Sequence, residues 1–259
     1  MILDEIIEKR KIQLEREKSA VSPEEMRKKA LSVKTPCRDF YAALKKEKLS
    51  VISEVKKASP SKSVICEDFH PVDTAVSYEK AGADAISCLT EEHYFKGSSR
   101  YLEEIRKAVN LPILRKDFIF DEYQIYEARA IGADAILLIA AVLDTETMNR
   151  FRELAESLGM NCLFEAHNEK EIESILKCSP KIVGINNRNL KTFEVSLENT
   201  AKLAGLVPKE CVIVSESGIA SNADMKKVRE CGADAVLIGE TLMRSGNIAD
   251  TMKMLRDGV

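Results

Sequence analysis

One phrase recurs in this chain. Gly-Ala-Asp-Ala followed by an apolar run begins at Gly82, Gly132 and Gly232, so successive copies lie 50 and 100 residues apart. A period of fifty divides into two units of about 25 residues, the length of one strand plus one helix. The glycine supplies the left-handed conformation that stops a helix. The unbroken apolar run after it suits a parallel strand covered on both faces. Scanning between the copies gives eight such strands: Ser50–Lys56, Ala83–Thr90, Pro112–Asp117, Ala133–Ala140, Asn161–Glu165, Ile182–Asn186, Cys211–Glu216 and Ala233–Gly239. Helical patterns fill the intervals. Asp144 and Ser221 are candidate N-caps, Asn168-x-x-Glu171 reads as a capping-box-like start, and stops precede Gly82, Gly132, Gly159 and Gly232. Strict alternation over eight units predicts an α/β fold, a single (β/α)8 TIM barrel, for which 259 residues is an ordinary length. The competing arrangement is an open, doubly wound sheet.

Residues 1–48 fall outside the alternation. Ile2, Leu3, Ile6, Ile7 and Leu14 mark one face of a helix, Ser22-Pro23-Glu24-Glu25 is a capping box with proline at the first helical position, and a third helix is predicted from Phe40 to Lys46. Lys9-Arg10-Lys11 and Arg27-Lys28-Lys29 read as solvated helix faces. With no Gly/Ser- or Pro-rich linker, residues 1–48 are expected to be a helical extension packed on the barrel, within one domain spanning 1–259.

Composition narrows the function. With 39 basic against 42 acidic residues, a net charge of -3 and no Trp, neither a duplex-binding surface nor a base-stacking platform is expected. The longest apolar run, Ala135 to Leu143, is too short for a bilayer, which needs about 20 residues. The acidic start at Asp4-Glu5 is unlike a secretory signal. Seven cysteines without a Cys-x-x-Cys pair, and only three histidines, suggest reduced thiols in a cytoplasmic protein and no protein-built zinc site. The expected partner is therefore a small molecule, with neither nucleic acid nor membrane.

Chemistry in such a barrel sits at the C-terminal ends of the strands. There the apolar strands finish in Glu54, Lys56, Lys116, Glu165, Asn186 and Glu216. Alternation with period two puts Glu54 and Lys56 on one side of their strand, facing the barrel mouth. Ionic groups crowded in a partly dry mouth are costly unless paired, and they shift one another's pKa values, which acid–base catalysis requires. Glycine turns after strands seven and eight (Ser217-Gly218-Ile219 and Ile238-Gly239-Glu240) stand where barrels of this kind bind phosphate. No Gly-x-Ser-x-Gly is present, and Cys88, Cys162 and Cys211 read as small core residues. His93 and His167 fall just past strand ends and read as rim positions, while the lysines leave Schiff-base chemistry open.

The strand ends resemble those of the indole-3-glycerol phosphate synthase family over nearly the whole chain. The resemblance rests on Ile52-Ser53-Glu54-Val55-Lys56-Lys57-Ala58-Ser59-Pro60-Ser61, Leu89-Thr90-Glu91 with Tyr94-Phe95-Lys96-Gly97, Leu114-Arg115-Lys116-Asp117-Phe118, Phe164-Glu165-Ala166-His167, Gly184-Ile185-Asn186-Asn187-Arg188-Asn189-Leu190 and Glu216-Ser217-Gly218-Ile219. The sequence departs from the pattern at Ser63, where glycine is expected, and at Ser215, where alanine is common. The resemblance implies a carboxy-lyase of tryptophan biosynthesis that needs no cofactor and has other enzymes of that pathway as partners. It implies Lys116 as the acid at the substrate ketone, with Glu165, Glu54 and Lys56 as candidates for the dehydration and Lys56 also holding the substrate carboxylate. Asn186 and Glu216 would bind hydroxyl and amine groups, Ser217 would help hold the substrate, and Phe95 would wall the aromatic ring. Arg188 is expected to pair with neighbouring carboxylates at the edge of the substrate site. Ser59, Gly218, Gly239 and Glu240 would hold the phosphate, with Leu237 a further substrate contact. Other phosphosugar barrels, an isomerase or a Schiff-base aldolase, are the alternatives of the same fold. A catalytically silent sugar-phosphate binder is the alternative of another class.

Overall fold

The computed structural model describes residues 2–60, 63–190 and 192–259. Eight parallel strands close on themselves: β1 (Ser50–Val55), β2 (Ala85–Leu89), β3 (Ile113–Lys116), β4 (Ala135–Ile139), β5 (Asn161–Ala166), β6 (Ile182–Asn186), β7 (Val212–Glu216) and β8 (Ala235–Ile238). The ring is completed by β8 pairing with β1, Ser50 opposite Ala235 and Ser53 opposite Ile238. Closure decides against the open sheet.

Strands β2, β4 and β8 begin two residues later than their apolar runs suggest, and the aspartate of the repeated phrase is the reason. Asp84, Asp134 and Asp234 precede the strands, and each carboxylate accepts a backbone N–H of the preceding strand, from Val51, Ile113 and Ile213 respectively, all at 2.8 Å. The glycines two residues before them have φ of 87°, 92° and 95°, the left-handed stop that the sequence implies. Helices fill the intervals. Asp144 accepts from the Thr147 amide at 2.7 Å, and Ser221 forms a reciprocal capping box with Asp224.

Alternation sorts the strand residues into two layers. Ile52, Leu114, Leu163, Val214 and Leu237 fill the barrel interior, whereas Val51, Ile113, Cys162, Ile213 and Val236 pack outward against the helices. The extension comprises α1 (Ile2–Ala20), α2 (Pro23–Ser32) and α3 (Phe40–Leu44). Helix α3 stops two residues earlier than expected because Lys45 leaves helical dihedrals. Phe40 and Leu44 join the interior cluster and close the barrel at the strands' N-terminal ends. Helix α2 packs Met26 against Leu14 of α1 and Tyr123 of the barrel helix Glu122–Ala130. Helix α1 is bolted to the end of β3: buried Arg10 donates to both oxygens of Asp117, at 2.9 and 3.1 Å. Lys9-Arg10-Lys11 is thus not wholly a solvated face.

The loop after β1 folds into a short antiparallel hairpin, Ala58–Ser59 with Ser63–Val64, which the strand pattern does not reveal. Ser63, standing where glycine is expected, has φ 52°, the region glycine favours. No helix among the described residues is long and apolar enough to cross a membrane.

Candidate active site

At the C-terminal ends of the strands lies a cavity of about 720 Å³. Glu54, Lys56, Lys116, Glu165, Asn186, Glu216 and Ser217 line it together with Ser59, Phe95, Arg188, Gly218, Leu237, Gly239 and Glu240. The sequence thus brings every predicted position to one place, and the cause is strand geometry. Glu54, Lys116, Glu165, Asn186 and Glu216 are each an even number of residues beyond an interior residue of the same strand, namely Ile52, Leu114, Leu163, Ile182 and Val214.

Lys116 is the hub. Its Nζ lies 3.1 Å from Glu165 Oε2 and 3.4 Å from Glu216 Oε2. On β1, Glu54 and Lys56 form a second ion pair. Burial opposes the charge on Lys116, but the carboxylates of Glu165, Glu216 and Glu54 reverse that effect and hold the ammonium well above the ordinary lysine range. Burial also favours the neutral form of Glu165, yet Lys116 and His167 outweigh it and keep this carboxylate below its usual range. Glu216 goes the other way. Burial and the negative charge of Glu165 exceed the pull of Lys116, and its carboxyl is pushed up to about 8. Two carboxyl groups around one ammonium are therefore shifted in opposite directions, the separation that acid–base sites exploit.

Two glycines make room for these groups. A Cβ on Gly184 would collide with Glu216 Oε1, and one on Gly239 would collide with Glu54 Oε2. Glu216 Oε1 is buried without a hydrogen-bond partner among the described residues, leaving an acceptor free beside the cavity. Asn186 Oδ1 accepts from Ser217 Oγ and from the Arg188 amide, both at 3.0 Å. Ser217 (φ 69°) and Gly218 (φ 89°) are consecutive left-handed residues at the glycine turn after β7, a conformation that strains the non-glycine residue. Ser215 points outward, where its Oγ bonds Asn187 Nδ2 at 3.0 Å and Thr200 Oγ1 at 2.8 Å, steadying the β6 end from behind.

Arg188 corrects one expectation. The partner shown for its guanidinium is the Phe193 carbonyl at 3.3 Å, not a carboxylate, so it braces the loop after β6. Sequence reasoning also missed several lining residues. Phe118 stands 6.1 Å from Phe95, centroid to centroid, so the aromatic wall has two rings. Ile2 and Ile6 bring the extension to the cavity. The apolar periodicity of α1 signalled a buried face but not what it faces. His167, read as a rim residue, lies behind Glu165 with its Nε2 3.3 Å from Oε1.

A closed ring of parallel strands with ionisable groups converging on its C-terminal mouth places the protein among the TIM-barrel enzymes. Solved structures agree on the fold. The chain superposes on 3-hexulose-6-phosphate synthase from Salmonella typhimurium with TM-score 0.66 at 12% identity, covering 81% of this chain and 97% of that one. It superposes on KGPDC from Streptococcus mutans with TM-score 0.62 at 15% identity, covering 82% and 97%. Sequence goes further. The model of the indole-3-glycerol phosphate synthase family matches residues 3–255. The chain is 49% identical over 260 residues to the indole-3-glycerol phosphate synthase of Alkaliphilus metalliredigens, spanning 100% of this chain and 99% of that protein. To the one from Endomicrobium trichonymphae it is 51% identical over 258 residues, spanning 99% and 100%. The chain belongs to the indole-3-glycerol phosphate synthase family.

Proposed function

We propose that the protein converts 1-(2-carboxyphenylamino)-1-deoxyribulose 5-phosphate to indole-3-glycerol phosphate, a carboxy-lyase step of tryptophan biosynthesis. The observation that carries this reading is the Lys116 ammonium, held between Glu165 and Glu216 beside an aromatic wall. The ring carbon bearing the carboxylate attacks the sugar ketone. A carbon–carbon bond forms, and the ketone oxygen takes a proton from Lys116. A strongly retained ammonium proton still suits this transfer, because the acceptor is a developing alkoxide, more basic than an amine. Carbon dioxide then leaves, and its bonding pair restores the aromatic ring. Dehydration follows: the new hydroxyl departs as water with a proton from an acid, and a base removes a proton from the neighbouring methylene, closing the indole double bond. The Lys56–Glu54 pair and Glu165 are the groups available for these two transfers.

Lys56 also suits the substrate carboxylate before it leaves. Glu216, with a free buried oxygen, suits the substrate amine, and Asn186 with Ser217 the sugar hydroxyls. Phe95 and Phe118 offer apolar surface for the anthranilate ring. Ser59, Gly239, Glu240 and the left-handed turn at Ser217-Gly218 suit the phosphate, Leu237 offers a further substrate contact, and Arg188 holds the adjoining loop. We treat residues 1–259 as one functional unit, a reading supported by Ile2 and Ile6 at the cavity. Seven free thiols favour a cytoplasmic setting, alongside the other enzymes of the pathway.

The test is to add the carboxyphenylamino-deoxyribulose phosphate in buffer containing EDTA and follow indole fluorescence. A rise with turnover is expected; no rise removes the reading. Borohydride trapping of a covalent adduct on Lys56 or Lys116 would favour the aldolase alternative instead.

A further inference from the structure

Glu165 is held from two sides. In the cavity its Oε2 faces Lys116 Nζ, and behind it Oε1 faces the imidazole of His167. That imidazole does not line the cavity. Its other nitrogen, Nδ1, lies 3.0 Å from Glu171 Oε2. The same Oε2 accepts the His167 amide at 2.8 Å, and Glu171 Oε1 accepts Asn168 Nδ2 at 2.6 Å. Both ring nitrogens thus face carboxylate oxygens, which only accept. A neutral imidazole has one donor and would leave one lone pair pointed at a carboxylate. The imidazolium donates from Nδ1 to Glu171 and sets its positive charge against Glu165 at Nε2. Buried Nε2 makes no hydrogen bond among the described residues, so its hold on Glu165 is the attraction of an ion pair at 3.3 Å. The backbone is fixed as well: Asn199 Nδ2 donates to the carbonyls of His167 and Asn186, at 3.2 and 2.8 Å, joining the ends of β5 and β6.

We propose that His167, anchored by Glu171, is a positioning residue for Glu165, presenting a fixed positive charge that orients the carboxylate and keeps it ionised during turnover. This deepens the lyase reading and rests on Glu165 acting in it. The groups facing the imidazole are Glu165 near the end of β5, the strand His167 follows, and Glu171 on the helix Glu169–Leu176, with Lys116 of β3 and Glu216 of β7 beyond Glu165. Burial disfavours the cation, but the two carboxylates more than offset that and push the ring up to about 10. The Asn168-x-x-Glu171 pattern therefore has a second use. Asn168 caps the helix, accepting from the Glu171 amide at 3.1 Å, which frees the Glu171 carboxylate to hold the histidine.

Two measurements test this. The chain has three histidines, so ring-labelled protein gives three ring signals to follow against pH. One ring is expected to stay protonated beyond about pH 8, well above the ordinary value of about 6.5. That signal should disappear in His167→Phe and titrate lower in Glu171→Gln. If no ring stays protonated above about pH 8, the proposal is overturned, whatever the substrate proves to be.

In the indole assay, His167→Phe should lower kcat about tenfold to a hundredfold with a smaller change in KM, as a misdirected catalytic group does. It should also raise the acid limb of the kcat profile by about one pH unit, because the charge that keeps Glu165 ionised is gone. His167→Gln, which keeps a polar amide facing Glu165 but carries no charge, should recover part of kcat but keep the shifted limb. Folded variants with wild-type kcat and an unmoved limb would overturn the proposal. An inactive wild type with the protonated ring present would overturn the lyase reading alone.

Discussion

Strand β3 ends by building two ionic clusters on opposite faces. Inward, Lys116 meets Glu165 and Glu216. Outward, Arg115 and Asp117 join Arg10, Glu127 and Thr90. Both are buried and both mix charges, yet they differ in how completely their atoms are satisfied. Asp117 accepts from Arg10, Arg115, Thr90 and the Phe118 amide. Burial would raise its pKa, but the two guanidinium groups win and hold it below the usual carboxylate range. Glu216 keeps an oxygen without a partner and a carboxyl pushed up to about 8. A filled network fixes structure, whereas an incompletely filled one beside a cavity is ready to exchange protons and bind substrate groups. Buried charge alone does not separate the two roles; the leftover bonding capacity does.

Substitutions can break that comparison. The largest effect is expected on the inner face: Lys116→Met should lower kcat about a thousandfold, within the range for removing a catalytic acid, while ligand affinity by calorimetry stays largely intact. Turnover near the native rate would dismiss Lys116 as the acid. On the outer face, Arg10→Met should cost about 3–5 kcal/mol of stability in denaturant unfolding, since it strips a partner from a buried carboxylate, with modest change in the kcat of the folded enzyme. If kcat collapsed while stability held, the division between the faces would be wrong.

Glu216→Gln tests the unsatisfied group through pH. A carboxyl whose folded pKa is raised binds its proton more tightly in the folded state. Its stabilising contribution is complete below the unfolded value and is lost as pH rises from about 4.3 to the folded value of about 8. Wild type should therefore lose stability relative to Glu216→Gln across that window in parallel unfolding curves. A constant difference would mean that Glu216 does not hold the extra proton. Ser63→Gly lies outside both clusters and should do least. Relief at φ 52° is largely offset by the greater freedom of glycine in the unfolded chain, leaving a gain below about 1 kcal/mol in thermal unfolding.

The barrel was legible because its two signals are local. Glycine stops and apolar runs repeat along the chain, and alternation within a strand says which side chains share a face. That sufficed to gather Glu54, Lys116, Glu165, Asn186 and Glu216 around one cavity. Contacts between distant segments were not legible. The charged run containing Arg10 looks solvated until α1 is laid against β3. His167 looks like a rim residue because nothing in sequence reports that Glu171 turns back to it. Arg188 was expected to seek a carboxylate and instead found the Phe193 carbonyl. Phe118 sits beside a predicted acid, but its tilted contact with Phe95 depends on two loops that only the folded barrel brings together.

The aspartates that staple the barrel's lower rim reach further than their location suggests. By capturing amides in the first two residues of β1, β3 and β7, Asp84, Asp134 and Asp234 favour the stagger at which neighbouring strands lock. A slip of one residue in β3 would swing Lys116 toward the helices and turn Arg115 or Asp117 into the mouth. The foundation of the molecule thereby selects the reactive face of its roof, and a lesion there could silence the enzyme without altering any group that meets the substrate.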